Sequence, residues 1–177
     1  MRITALIMSG GRGSRLGNVD KGSLRICGKP MIKWVLDNLT NAGIDKIIAS
    51  ASMRNYNTLR ILKEVHSDVY ISSGIDYVTD LSFALKLIRA RPLLVMPVDT
   101  PLITPDIILD FIKRGIESSK PVVNMIGREG YVGVTLFNES MGEWVDVNYD
   151  SPLVMDIDTP RDVDTANLLC LKLLNFT

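Results

Sequence analysis

Short apolar, β-branched runs alternate along this chain with segments of helical period. Ile3 to Met8, Lys46 to Ser50, Val69 to Ser72 and Leu93 to Val98 are apolar over most of their length rather than at every second position, as expected of parallel strands buried on both faces. Between them, Met31 to Ala42, Tyr56 to Val65, Asp80 to Ala90 and Pro105 to Ile116 read as helices. Pro30 stands near the start of the first and Gly43 just past its end. From Pro121 onward the rhythm changes: Val122 to Ile126 and Tyr131 to Phe137 read as strands with no helix between them, which predicts an antiparallel excursion. A helix from Pro160 to about Leu174, leucine-rich on one face, closes the pattern. The expected fold is α/β: three layers, helix–sheet–helix, around a mostly parallel sheet, in a single domain over residues 1–177.

Composition narrows the function classes. With 177 residues and 46% hydrophobic side chains, the chain can bury roughly 70% of its unfolded surface. Lysine plus arginine (20) balances aspartate plus glutamate (20), so no long-range field favours nucleic acid or an anionic membrane as a partner. No apolar stretch reaches the ~20 residues that span a bilayer, and Ala5 to Met8 is too short for a signal segment. Cys27 and Cys170 lack CxxC or Cys/His spacing, which argues against a zinc site or a disulfide framework and for a reducing cytoplasm. The single histidine, His66, reads as structural and leaves no histidine-based triad.

Directly after the first strand come Ser9, Gly10, Gly11, Arg12, Gly13, Ser14, Arg15, Leu16 and Gly17, then Asp20 and Lys21. Glycines permit close approach and left-handed backbone, so successive amide N–H groups can converge on phosphate oxygens. Arg12, Arg15 and Lys21 add positive charge, the arginines as planar forks and the lysine as a point charge. There is no GxxxxGK[ST], and Leu16 breaks the dinucleotide fingerprint at its last glycine. A triphosphate loop of another kind and a glycine-rich surface loop with incidental basic residues are the remaining readings, and three cations within ten residues on a strand-to-helix connection favour the first.

The order of strand, Gly10-Gly11-x-Gly13-x-Arg15-Leu16-Gly17, then Asp20-Lys21, then Gly28-x-Pro30-Met31-Ile32 leading a helix resembles the MobA-like nucleotidyltransferases. The resemblance covers most of the chain and implies a Rossmann-like fold in which Gly10 to Arg15 wrap a triphosphate. Lys21 would then stabilise charge on the α-phosphate and on departing pyrophosphate. Ser72 to Leu81 and residues 17–32 are most similar to the archaeal-type GTP:adenosylcobinamide-phosphate guanylyltransferases within that family. That likeness implies GTP and a phosphorylated small-molecule acceptor as substrates, in cobalamin biosynthesis, and a homodimer. Two departures are Gly22-Ser23 in place of the commoner Pro-Leu, and a short segment between Ser118 and Met155 where the acceptor should sit.

Dense negative charge on a triphosphate calls for magnesium, which prefers carboxylate oxygens with phosphate and water. Asp99 ends the run Leu93 to Val98 at the carboxyl edge of a strand, where α/β sheets place ligands. Asp156 and Asp158 lie just before the last helix, and alternation along an extended segment would point both the same way. By family match Asp99 and Asp158 are the magnesium ligands, with Asp156 behind them or in place of one. A turn role for Asp99 and an N-cap role for Asp158 are the structural alternatives, and Asp162 and Asp164 read as solvated or dipole-favoured charges.

For the base, a carboxylate acceptor such as Asp80, with Ser73 and Gly74 beside it, suits the N1–H and N2–H donors of guanine, although Asp80 also fits a helix N-cap. Arg15, Lys21 and Asp99 are the candidate catalytic residues. Two rival readings stand: a molybdenum-cofactor guanylyltransferase or other MobA-like enzyme, and a nucleotide-binding module without turnover.

Overall fold

The structure is a computed structural model and describes residues 3–11, 13–65 and 67–175. Its elements in chain order are β1 (Thr4–Met8), β2 (Arg25–Ile26), β3 (Lys29–Pro30), α1 (Met31–Asn41), β4 (Lys46–Ser52), α2 (Tyr56–Glu64) and β5 (Asp68–Ser72). They continue with α3 (Tyr77–Leu87), β6 (Leu93–Pro97), α4 (Pro105–Glu117), β7 (Val122–Gly127), β8 (Gly130–Phe137), β9 (Trp144–Asn148) and α5 (Pro160–Asn175). Seven strands form one sheet in the order β5-β4-β1-β6-β8-β7-β9, with β2 and β3 as a separate hairpin. The four strands β5, β4, β1 and β6 are mutually parallel, β8 runs antiparallel to both β6 and β7, and β9 is parallel to β7. The four apolar runs are therefore the parallel half, and the segment after Pro121 is the antiparallel excursion.

Side chains alternate across the sheet. From β1, Ala5 and Ile7 join the core beneath α1, α2 and α4, which contribute Ile32, Val35, Leu39, Leu62, Ile108 and Phe111. Leu6 and Met8 point the other way, where only α3 packs, through Leu81, Ala84, Leu85 and Ile88 against Leu93, Val95 and Phe137. Helix α5 lies apart, on the β2–β3 hairpin, through Ala166 and Cys170 against Ile26, Met31 and Ile157. One face thus carries three helices and the other carries one, leaving much of the β8-β7-β9 end uncovered. Among the described residues no helix is long and apolar enough to cross a membrane.

Three expectations need correction. Helix α3 starts at Tyr77 rather than Asp80, because Asp76 caps it by accepting from Thr79 N–H at 2.8 Å. Strand β9 was not anticipated; it is an edge strand whose outward residues Trp144, Asp146 and Asn148 are exposed. Cys27 and Cys170, 143 residues apart in sequence, come together with Cα atoms 6.3 Å apart and are joined as a disulfide, against the expectation of none. Docking of α5 on the hairpin supplies that proximity, which sequence spacing could not show.

Candidate functional site

A cleft of about 340 Å³ opens at the carboxyl ends of β1 and β6, the place where open α/β sheets bind ligands. Gly10, Gly11, Gly13, Ser14 and Arg15 line it on one side, Gly74, Tyr77 and Asp80 on another, and Lys21, Asp99 and Asp158 at its charged end. Arg12, a sequence candidate for the loop, and His66, read from the sequence as structural, lie outside the described residues.

The glycine loop is held from below. Ser9 donates both its N–H and its hydroxyl to Ser50 carbonyl, at 2.8 and 2.7 Å, so this serine fastens the loop to β4. Gly13 adopts φ +57°, and a side chain there would run into the Val19 carbonyl. Leu16 and Asn18 N–H groups both donate to Gly13 carbonyl at 3.0 Å, closing a compact turn that presents Ser14 and Arg15. At Gly10 a Cβ would lie 2.6 Å from Ser72 Oγ, which fits the loop closely against the end of β5.

Asp20, part of the sequence motif but given no role there, proves to anchor the loop. Its carboxylate accepts from Thr58 N–H at 2.9 Å and from the Thr58 hydroxyl, at the first turn of α2. Asn55 completes the clasp, donating to Gly11 carbonyl at 3.2 Å while lying 3.4 Å from Asp20 Oδ1. The neighbouring Lys21 is thereby directed into the cleft, where Nζ donates to Asp99 Oδ2 at 2.7 Å and to Asp158 Oδ1. Arg15 reaches the other oxygen of Asp158. The only forewarning in the sequence was an acidic residue directly before the lysine.

Electrostatics at this end are set by two carboxylates sharing one ammonium. Burial raises Asp99, with Lys21 opposing that shift. For Lys21, burial would lower the pKa, but Asp99 and Asp158 outweigh it and hold the ammonium above its ordinary range. Asp156 is raised mainly by burial, with Asp99 and Asp158 adding to it, so it stands close to the pair without bonding to Lys21. Ile157, between the two aspartates, is fully buried and donates its N–H to Asp99 carbonyl at 2.9 Å. Among the described residues no three His, Cys, Asp or Glu side chains form a metal-sized cluster.

Asp158 is not tied up as a helix cap. Asp162 Oδ2 instead accepts from Asp158 N–H at 3.0 Å and from Thr159 N–H and hydroxyl at 2.7 and 2.9 Å, and Asp162 N–H returns a bond to Thr159 Oγ1 at 3.3 Å. This reciprocal cap makes Thr159 the end residue of α5 and leaves the Asp158 carboxylate for the cleft. Asp162 is therefore an organising residue rather than a merely solvated charge.

On the opposite wall, Asp80 is 4% exposed and already accepts three bonds. Ser73 N–H and hydroxyl go to Oδ1 at 2.9 and 2.6 Å, and Gly74 N–H goes to Oδ2 at 3.1 Å. With two lone pairs per oxygen, Oδ2 keeps one acceptor position and Oδ1 none. Ser73 is thus spent on shaping the turn and is absent from the cleft lining, whereas Gly74 and Asp80 belong to it. Tyr77, at the first position of α3, was also missed; desolvation first, then Tyr131 and Asp99 nearby, push its hydroxyl above the usual range.

A parallel sheet with a glycine loop after its first strand, a lysine and paired carboxylates at its carboxyl edge defines a nucleotide-handling α/β protein of the nucleotidyltransferase class. Residues 5–160 match the MobA-like NTP transferase domain, and the chain belongs to that family. It is 25% identical over 192 aligned positions to the adenosylcobinamide-phosphate guanylyltransferase of Methanocaldococcus jannaschii, covering 95% of this chain and 97% of the relative. It is 31% identical over 111 positions to the molybdenum cofactor guanylyltransferase of Cereibacter sphaeroides, covering 60% of this chain and 55% of the relative. Among solved structures it resembles a nucleotidyl transferase from Methanothermobacter thermautotroptrophicus with a TM-score of 0.77 at 16% identity, over 97% of this chain and 99% of that one.

Proposed function

We propose that this chain is a magnesium-dependent guanylyltransferase that transfers GMP from GTP to the phosphate of adenosylcobinamide phosphate, with release of pyrophosphate. The observation that carries the reading is the placement of Lys21 between Asp99 and Asp158 at the mouth of the glycine loop. An acceptor phosphate oxygen attacks the α-phosphorus as the bond from that phosphorus to the bridging oxygen of pyrophosphate breaks. The acceptor phosphate has a second pKa of about 6 and is largely ionised at neutrality, so no protein base has to remove a proton. Lys21 and Arg15 provide the positive charge that offsets the developing charge on the leaving group.

Two carboxylates converging at the charged end of the cleft suit magnesium, which is bound by one or two carboxylates together with phosphate and water. Asp99 and Asp158 would hold it, with Asp156 close behind. When bound, the metal supplies further neutralisation of the triphosphate. The remaining acceptor position of Asp80 Oδ2, in the cleft lining beside Gly74, suits a base bearing an N–H donor.

End-to-end alignment with the archaeal enzyme favours adenosylcobinamide phosphate as acceptor. Identity to the bacterial molybdenum enzyme is higher but covers little more than half of that protein, which supports molybdopterin as the second reading. The test is pyrophosphate release from GTP, ATP, CTP and UTP with magnesium, with each acceptor in turn and Asp99→Asn as control. Release with GTP and adenosylcobinamide phosphate alone is expected. Release with molybdopterin instead moves the assignment to the second reading, and binding without release under all conditions ends the enzyme reading.

A further inference from the structure

The charged end of the cleft is closed on itself. Lys21 Nζ donates to Asp99 Oδ2 at 2.7 Å and to Asp158 Oδ1, while Arg15 holds the other Asp158 oxygen. Two carboxylates and two cations thus cancel one another, although they are the same groups that a metal and a triphosphate would call upon. The Lys21 and Asp99 side chains are only 13% and 19% exposed. If either partner is taken away, water makes poor compensation for the charge left behind.

Most of this arrangement is fixed by the backbone. Ile157 N–H donates to Asp99 carbonyl at 2.9 Å, which ties the segment of one carboxylate to that of the other. Asp162 holds Asp158 N–H at 3.0 Å, and the Asp20 carboxylate holds the segment of Lys21 itself to Thr58. What remains free to move is the four-carbon stem of Lys21. Gly13, Ser14 and Arg15 line the same cleft, so the ammonium can swing toward the loop. There it meets phosphate oxygens when a triphosphate is bound, and another cation, Arg15, when none is.

We propose that Lys21 is a bolt on the site: in the nucleotide-free protein its ammonium occupies the two carboxylates that would hold a divalent cation, and it leaves them only when a triphosphate is there to receive it. Arg15 makes the same exchange at the outer oxygen of Asp158. A free divalent cation is thereby kept out, because Asp99 and Asp158 are already neutralised. Metal-free nucleotide is disfavoured as well, because the cations it needs are held by carboxylates that repel phosphate. Metal and nucleotide enter together, each raising the affinity of the site for the other by the same factor. The proposal rests on the magnesium and triphosphate reading and adds the condition under which the site fills.

The test measures binding to the full chain, without turnover. Mn2+, which takes the same oxygen ligands as magnesium, is titrated in the absence of nucleotide and followed by the paramagnetic resonance of the free ion. Lys21→Met, which cannot turn over, is expected to bind Mn2+ about tenfold or more tightly than wild type. Arg54→Met removes the same charge from an exposed cation beside Gly11 and Asp20, and should keep the wild-type Kd. A non-hydrolysable GTP analogue is then titrated calorimetrically, with EDTA and with Mn2+. Wild type should bind it at least tenfold more tightly with Mn2+, and Asp158→Asn should bind it more tightly than wild type in EDTA, a measurement that stands even if Lys21→Met does not fold. A Kd for Mn2+ in Lys21→Met equal to or weaker than wild type overturns the bolt, as does an equal gain in Arg54→Met or unimproved EDTA binding in Asp158→Asn. Any of these, with analogue binding to wild type still strengthened by Mn2+, leaves the magnesium reading in place. Analogue binding to wild type that ignores Mn2+ removes that reading and the bolt with it.

Discussion

The carboxylate of Asp20 accepts both the backbone N–H and the hydroxyl of Thr58, and by that pair of bonds the segment carrying Lys21 is fixed to the start of α2. Thr58 is itself fully buried, so the contact is rigid on both sides. Loss of Asp20 would leave Thr58 N–H without its acceptor and free the lysine. Asp20→Ala is expected to lower unfolding stability by about 1–3 kcal/mol, read from urea denaturation, and to weaken nucleotide binding in the same protein. Normal stability with normal binding would show that the clasp is dispensable.

Gly22 packs against the same threonine: a Cβ there would lie 2.8 Å from Thr58 Cγ2 and closer still to its hydroxyl. Buried β-branched side chains cannot move aside. Gly22→Ala should therefore cost about 1–3 kcal/mol through overpacking, while Gly28→Ala meets no neighbouring atom and is strained only by its φ of +76°. Comparing the two urea midpoints separates crowding from backbone strain. A wild-type midpoint for Gly22→Ala would reject the packing account.

Lys21 and Asp99 should behave as chemistry rather than scaffold. Asp99→Asn is expected to reduce turnover by about 100-fold or more, with its thermal unfolding midpoint near that of wild type. Lys21→Ala should do the same, and Lys21→Arg should recover little, because a planar fork does not replace a point charge set between two carboxylates. Initial-rate measurements at saturating GTP decide this; a wild-type rate in Asp99→Asn or Lys21→Ala removes that side chain from the mechanism, and one in Lys21→Arg rejects the need for a point charge.

Much of this arrangement was legible in the chain, for identifiable reasons. The runs ending at Met8 and Val98 are apolar because both sheet faces are covered there, and Gly10 to Arg15 and Asp99 follow them directly at the strand ends. Periodicity failed where apolar residues stay in solvent. Tyr77 and Val78 are 42% and 71% exposed although they open α3, so the apolar stripe pointed to Asp80 as the start and hid the cap at Asp76. The pairing of Asp76 with Thr79 three residues later was the available signal. β9 escaped notice because only Val145 and Val147 of its five residues face a core. The Asp20–Thr58 clasp and the reach of Lys21 to Asp158 span 38 and 137 residues, distances over which no local pattern speaks.

The bridge between Cys27 and Cys170 can be checked directly. Denatured, unreduced protein should show no reactive thiol, and two after treatment with a dithiol. Cys170→Ser is expected to lower stability by about 2–5 kcal/mol, measured by urea denaturation against the oxidised parent. Two free thiols in the untreated protein would restore the reduced reading of the sequence.

That same bridge changes the covalent topology of the molecule. It closes a ring through nearly the whole chain, with Lys21 on the short tail before it and Asp99 and Asp158 inside it. A protease that nicks a single exposed loop within the ring would not divide the protein. The cut chain would migrate as one piece and separate into fragments only when the sulfur bridge is reduced, so a break in the backbone would be masked by the crosslink.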